Sequence, residues 1–139
     1  MEPSISYTAV ILDHNSHIKL RVRMAGLTTP FGWKEFCHHM TLNMGPLNEA
    51  LNPELKVGSE VVLKATHFAF DQRVVAVKVE SSANTTNRIP HITVAVDTEN
   101  GAKPKHSNEL PDWAWMPLDE EIELRGIVTE VENPQPATK

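Results

Sequence analysis

Alternating apolar and polar positions mark six stretches of this chain as strands. They are residues 7–12 (YTAVIL), 36–44, 60–70, 73–80, 91–96 and 122–131. One stretch has helical spacing instead. Asp13 or Asn15 can cap a helix running to about Ala25, with Ile18, Val22 and Ala25 as its apolar stripe and Gly26 as its stop. Residues 28–33 read as a loop, Gly45-Pro46 ends the second strand, and residues 48–55 suggest a short helix. Asp71-Gln72 turns two long strands into a hairpin. The polar run 81–87 (SSANTTN) is a loop dividing the chain into unequal halves. After it come a loop at 97–104 and one helical turn at 105–110, with Ser107 or Asn108 near its start. This mixture predicts an α+β domain with mainly antiparallel strands and few helices. It spans residues 1–132, followed by a fraying tail at 133–139 with two prolines.

Two of the strands carry more than packing information. Side chains alternate between faces along a strand. In residues 37–44, Cys37, His39, Thr41 and Asn43 fall on one face, and His38, Met40, Leu42 and Met44 on the other. In residues 91–96, His91, Thr93 and Ala95 share a face, opposite the apolar row Ile92, Val94 and Val96. Each half of the chain thus offers an imidazole and a hydroxyl two residues apart. That spacing is roughly 6–7 Å along a strand, wide enough to straddle a phosphate.

Such a pair suits the hydrolysis of a 2′,3′-cyclic phosphate. One base must activate water and one acid must protonate the leaving ribose oxygen, and histidine does both near neutral pH. Two hydroxyls can donate to the non-bridging oxygens, where charge develops. No metal or cofactor is called for. The tripeptide alone is a weak signal: the seven histidines and the serines and threonines of this chain give about one His-x-Ser/Thr match by chance. Three occur, but His14-Asn15-Ser16 lacks the apolar strand setting of the other two.

Composition narrows the field without changing it. The chain has 139 residues, is 40% hydrophobic and 22% charged, and suits one globular domain. A net charge of −5 argues against wrapping long duplex nucleic acid, though not against holding one terminal phosphate. A single cysteine, Cys37, points to a reducing compartment, and the start Met1-Glu2-Pro3-Ser4 lacks the basic region of a signal peptide. No apolar run approaches the roughly 20 residues that span a bilayer. A cytoplasmic location away from membranes is expected.

The residues at 33–45 (WKEFCHHMTLNMG) and 91–110 (HITVAVDTENGAKPKHSNEL) resemble the 2H phosphoesterase superfamily. The nearest likeness is to the cyclic phosphodiesterase domain of plant and fungal tRNA ligases and its stand-alone relatives. It runs from about Tyr7 to Val131. The resemblance implies two sheet-based lobes facing each other across a groove, each lending one His-x-Thr. It further implies hydrolysis of 2′,3′-cyclic phosphates, commonly to a 2′-phosphate. His39 and His91 match as the acid/base pair, and Thr41 and Thr93 as the phosphate-binding pair. The substrate would be an RNA 3′ end or a small cyclic nucleotide. The ligase and kinase domains of a full tRNA ligase have no counterpart in this sequence, so the expectation is the phosphodiesterase step, alone or beside a ligase or kinase partner protein. Two departures stand out: the histidines lie closer in sequence than in larger members, and the second lobe is minimal.

Other residues have competing readings. Lys103 and Lys105 are candidates to neutralise a bound phosphate, or they sit in a solvated loop. Ser107 and Asn108 either cap the short helix toward the substrate or only cap it. Trp33, Trp113 and Trp115 are candidates for base stacking, against the commoner fate of core packing. His38, on the opposite face from His39, reads as a structural histidine, and neighbouring strand residues diverge too far for zinc held by Cys37, His38 and His39. His67 groups with Leu63, Ala65 and Ala69, as a packed side chain. The run 119–123 (DEEIE) reads as a solvated strand edge. Two further possibilities remain: a non-catalytic module binding a phosphorylated nucleotide or RNA end, and a small OB-type barrel in which His39 and His91 need not meet.

Overall fold

Wherever the alternation is apolar enough to bury one face, it becomes a strand. The computed structural model describes residues 4–25 and 32–132. Its strands are β1 (Ile5–Leu12), β2 (Lys34–Glu35), β3 (His39–Met44), β4 (Glu60–Phe70), β5 (Val74–Glu80), β6 (His91–Val96) and β7 (Met116–Glu132), with one α-helix, α1 (His14–Ala25). They pair antiparallel throughout, in the order β2-β6-β5-β4-β7-β1-β3. The α+β reading with few helices holds. The strands belong to one curled sheet, in which β4 and β5 link the two halves of the chain, and the expected two-lobed layout is not evident in it.

This sheet curls until its ends meet. β2 lies against β6, and just beyond it the Phe36 N–H donates to the Val94 carbonyl (2.7 Å) and the Cys37 N–H to the Thr93 carbonyl (3.0 Å). The next residues change partner: the Leu12 N–H donates to the His38 carbonyl (2.9 Å), and β3 continues along β1. One stretch of chain therefore joins both ends of the sheet. The 81–87 loop covers the remaining edge of β3, with the Thr85 hydroxyl and the Thr86 N–H donating to the carbonyls of Thr41 and Leu42.

The main core lies on one face of the sheet and includes Val10, Met40, Leu42, Leu63, Val77, Ile92, Val94 and Leu124. Helix α1 closes it. Asp13 caps the helix, its carboxylate accepting the Ser16 N–H (2.7 Å). The buried helix face is Ser16, Leu20 and Met24, while Ile18 and Val22 are exposed, at 39% and 67%. The expected stripe of Ile18, Val22 and Ala25 is thus wrong. Small Ser16 faces the sheet, its hydroxyl accepting the Arg125 N–H (2.8 Å), and Leu20 and Met24 on the same face fill the core while Ile18 and Val22 turn outward. Gly26, most of the 28–33 loop and the 133–139 tail lie outside the described residues.

Residues 48–55 form turns and no helix. The Asn48 side chain takes the N–H groups of Ala50 and Leu51, and Pro53 cannot continue a helix. Beyond β6, three 3₁₀ turns (Thr98–Asn100, Pro104–Glu109 and Asp112–Ala114) precede β7. They cover a second cluster of Ala69, Val74, Ala76, Val96, Ala102 and Leu110 on the face opposite the main core.

Gly126, in β7, faces a backbone. A Cβ there would lie 2.6 Å from the Ile11 carbonyl oxygen and 2.7 Å from Val10 Cγ1. Neither can yield without shifting β1, so Gly126→Ala is expected to destabilise the fold by about 1–3 kcal/mol, read by urea unfolding. An unchanged midpoint would show that β1 and β7 are not held this closely.

Candidate active site

Both motif strands owe their geometry to local breaks in alternation. Just before β3 the first break is Cys37, whose φ of 49° lies in the left-handed region. A non-glycine residue there costs about 1–2 kcal/mol. The kink lets the chain leave β6 for β1. It also frees His38 from strict alternation: its Nδ1 lies 3.0 Å from His39 Nδ1, and the rings meet edge to face at 5.2 Å. His38 therefore stands beside His39 and not on the opposite face. Cys37 is 1% exposed within the main core, so it does not share the wetter face.

The second break is a bulge. Ala9 faces Thr41 and Thr8 faces Asn43, which leaves Leu42 as the extra residue on β3. Asn43 turns inward and ties the 44–48 turn, donating to the carbonyls of Met44 and Pro46. Met44 instead joins His39 and Thr41 at the site.

β6 repeats this device. Ala76 faces Thr93 and Val75 faces Ala95, so Val94 is extra. His91 and Thr93 stay on the site face, Ala95 enters the main core and Val96 the second one. Ile92, Val94 and Val96 are thus not one continuous row. Each His-x-Thr is followed at once by a bulge, which shifts the facing of the residues beyond the threonine by one position.

Closure of the sheet brings the two motifs together. His39, Thr41, His91 and Thr93 line one cavity of about 420 Å³, with Tyr7, Phe36 and Lys105 among its other walls. The Tyr7 ring lies 5.3 Å from that of His39. The His91 Nδ1–H donates to the Ile89 carbonyl (2.7 Å), and His39 Nδ1 is engaged by His38, so each ring keeps Nε2 for the cavity. The Thr93 and Ser107 hydroxyls are hydrogen-bonded at 2.9 Å.

Burial sets the electrostatics. Desolvation, helped by the neighbouring His38 and His91, lowers the His39 pKa to about 4. Desolvation also lowers that of His91, opposed by its bond to the Ile89 carbonyl. Both shifts favour the neutral rings, and Lys105 brings its side chain to the same cavity wall. The Cys37 thiol is pushed up to about 12 by burial and stays protonated. Among the described residues, no group of three His, Cys, Asp or Glu side chains is placed to hold a metal ion.

The remaining candidates divide. Lys105 is at the cavity; Lys103 is exposed away from it, its N–H donating to His106 Nδ1. Ser107 is 2% exposed and sits mid-turn, where it holds Thr93 and caps nothing. Trp33 packs on the main core and Trp115 on the second cluster, while Trp113 is 85% exposed. His67 contacts the Thr66 hydroxyl; the bulge at Thr66 takes it off the face of Leu63 and Ala65. Sequence reasoning missed Tyr7, Phe36 and Met44 as cavity walls. Only Tyr7 carried a signal, as a lone polar aromatic opening an apolar strand.

The family model described as the fungal tRNA ligase phosphodiesterase domain matches residues 10–136. No curated protein and no solved structure matches the chain. No described helix is long and apolar enough to cross a membrane.

The lowered histidines link the site to stability. Below about pH 6.5 the unfolded chain takes up a proton at residue 39 that the folded chain refuses down to about pH 4. Stability contributed by neutral His39 is therefore full above pH 6.5 and lost as pH falls to 4, by on the order of 3 kcal/mol. His39→Gln is expected to flatten the fall of unfolding free energy across this window; identical slopes in both proteins would sink the assignment.

Proposed function

The chain belongs to the fungal tRNA ligase phosphodiesterase domain family, which is of the 2H phosphoesterase type, and on that premise we propose that it hydrolyses 2′,3′-cyclic phosphates at RNA 3′ ends or on small nucleotides, leaving a 2′-phosphate. His39 and His91 move the protons, and Thr41 and Thr93 hold the phosphate. The observation that carries this reading is the convergence of both His-x-Thr pairs, from opposite ends of one sheet, on a single cavity.

The geometry suits the chemistry. A cyclic phosphodiester carries one negative charge, and the cavity offers it Lys105 and two hydroxyls. When Ser107 donates to Thr93, the Thr93 proton is left to point at a non-bridging oxygen. One imidazole takes a proton from the attacking water and the other protonates the leaving ribose oxygen, on opposite sides of phosphorus. The bound anion raises both lowered pKa values, so substrate binding itself helps the site take up its proton. Lys103 and Trp33, set away from the cavity, have no part in this reading.

With a nucleoside 2′,3′-cyclic phosphate in EDTA, His39→Ala and His91→Ala are each expected to lower kcat by about 10²–10⁴-fold. Thr41→Ala and Thr93→Ala should each cost about 10-fold or more in kcat/KM. The kcat/KM profile should be a bell centred on the acid side of pH 6.5, since both histidines are lowered in the free protein. Activity equal to wild type in all four variants would refute the assignment. Ligand-dependent thermal stabilisation without turnover would instead identify a binding module.

A further inference from the structure

The two site histidines are not equivalent, because their Nδ1 partners differ. His91 Nδ1 faces the Ile89 carbonyl at 2.7 Å. A carbonyl only accepts, so this nitrogen carries the proton, and neutral His91 presents a lone pair on Nε2. That is the state of a base. His39 Nδ1 faces another imidazole nitrogen, His38 Nδ1, at 3.0 Å. One of the two must donate.

Solvent exposure decides which. His38 is exposed, and His39 is enclosed by Tyr7 of β1, Thr41 of its own strand, His91 of β6 and the cavity wall carrying Lys105. His38 is thus the ring of the pair that exchanges protons with water, and so the one placed to pass a proton inward. An imidazolium donates from both nitrogens, so the 3.0 Å contact survives only with His39 accepting at Nδ1.

We infer that His38 supplies the proton of His39: the His38 Nδ1–H donates to His39 Nδ1, which holds the His39 proton on Nε2 and makes His39 the general acid and His91 the general base. The inference rests on the phosphodiesterase reading above. In the reaction a water oxygen bonds to phosphorus and gives its proton to His91 Nε2. The bond from phosphorus to the ribose 3′ oxygen breaks, and that oxygen takes the His39 Nε2 proton. His39 Nδ1 takes the His38 proton in the same step. His39 thus begins and ends neutral, His38 passes from cation to neutral ring, and His91 from neutral ring to cation. Exchange with solvent then restores the His38 cation and neutral His91 and returns the His39 proton from Nδ1 to Nε2. A ring with a pKa near 4 is a poor proton carrier by itself at neutral pH, and the relay removes the need for it to hold charge. His38 acts through His39 and is a positioning and proton-supplying residue.

Two measurements test this. In ¹⁵N-histidine NMR of the wild type, His39 should be the Nε2–H tautomer with Nδ1 accepting, and His38→Ala should abolish that preference; an Nδ1–H tautomer overturns the inference. In steady-state kinetics, His38→Ala and His38→Asn should lower kcat by about 10²-fold on a nucleoside 2′,3′-cyclic phosphate, with KM unchanged. On a p-nitrophenyl phosphodiester, whose leaving group needs no proton, the loss should be under about 3-fold. Asparagine can hydrogen-bond His39 without surrendering a proton, so full activity in His38→Asn overturns the relay, as does an equal loss on both substrates. Melting temperatures, expected to match wild type at this exposed position, exclude misfolding as the cause. A wild type inactive on every cyclic phosphate sinks the phosphodiesterase reading and the relay together, while the tautomer still decides the hydrogen bond.

Discussion

A single bent stretch, residues 34–44, holds the two ends of the sheet together. Its first part hydrogen-bonds β6, and its second part pairs with β1. Backbone polar groups at a sheet edge must find partners, and here each end of the sheet finds them in the same segment. The change of partner requires a sharp turn between β2 and β3, taken at the buried Cys37 in a left-handed conformation. Closure offsets that local cost by satisfying N–H and carbonyl groups on both sides. Without closure, the two His-x-Thr pairs would lie at opposite ends of a seven-stranded sheet.

The site lies on the sheet face that the main core does not use, and this explains its electrical character. Its histidines are near enough to the core to lose water, which lowers both pKa values, yet they open into a cavity that can take an anion. The bulges at Leu42 and Val94 reconcile these demands. Before each bulge the strand offers a histidine and a threonine to the cavity. After it, Asn43 on β3 and Ala95 and Val96 on β6 turn to the interior, while Met44 stays at the cavity. The segment after β6 finishes the wall by placing Ser107 against the Thr93 hydroxyl and Lys105 at the cavity.

Much of this was legible from residue order. Alternation is a local property of the backbone, so six strands, the hairpin at Asp71-Gln72 and the pairing of each histidine with its threonine are legible, whereas β2 and the first six residues of β7, whose side chains bury no regular apolar face, are not. Asp13 as a cap was legible for the same reason. Breaks in alternation were not. Nothing in the letters Cys37 or Leu42 announces a left-handed residue or a bulge, since both arise where the chain must satisfy two neighbouring strands at once. For that reason Cys37 and Asn43 lie off the face that alternation predicts for them, and His38 lies beside His39. The helix stripe failed because Leu20 and Met24 fill the core on the face of Ser16, whose hydroxyl has its backbone partner in β7, more than a hundred residues away.

The sequence by itself determined the chemistry on offer: two imidazole–hydroxyl pairs on apolar strands, a net charge of −5, and a likeness to cyclic phosphodiesterase domains that the family match carries across residues 10–136. The tertiary structure alone decided which groups meet. It joined β3 to β6, set Lys105 at the cavity while leaving Lys103 outside, sent Trp33 to the core, and placed His38 against the ring of His39. The physical reason is one of range. Side-chain alternation is set between adjacent residues, whereas the facing of two strands is set by a ring of hydrogen bonds that closes only when the whole sheet has formed.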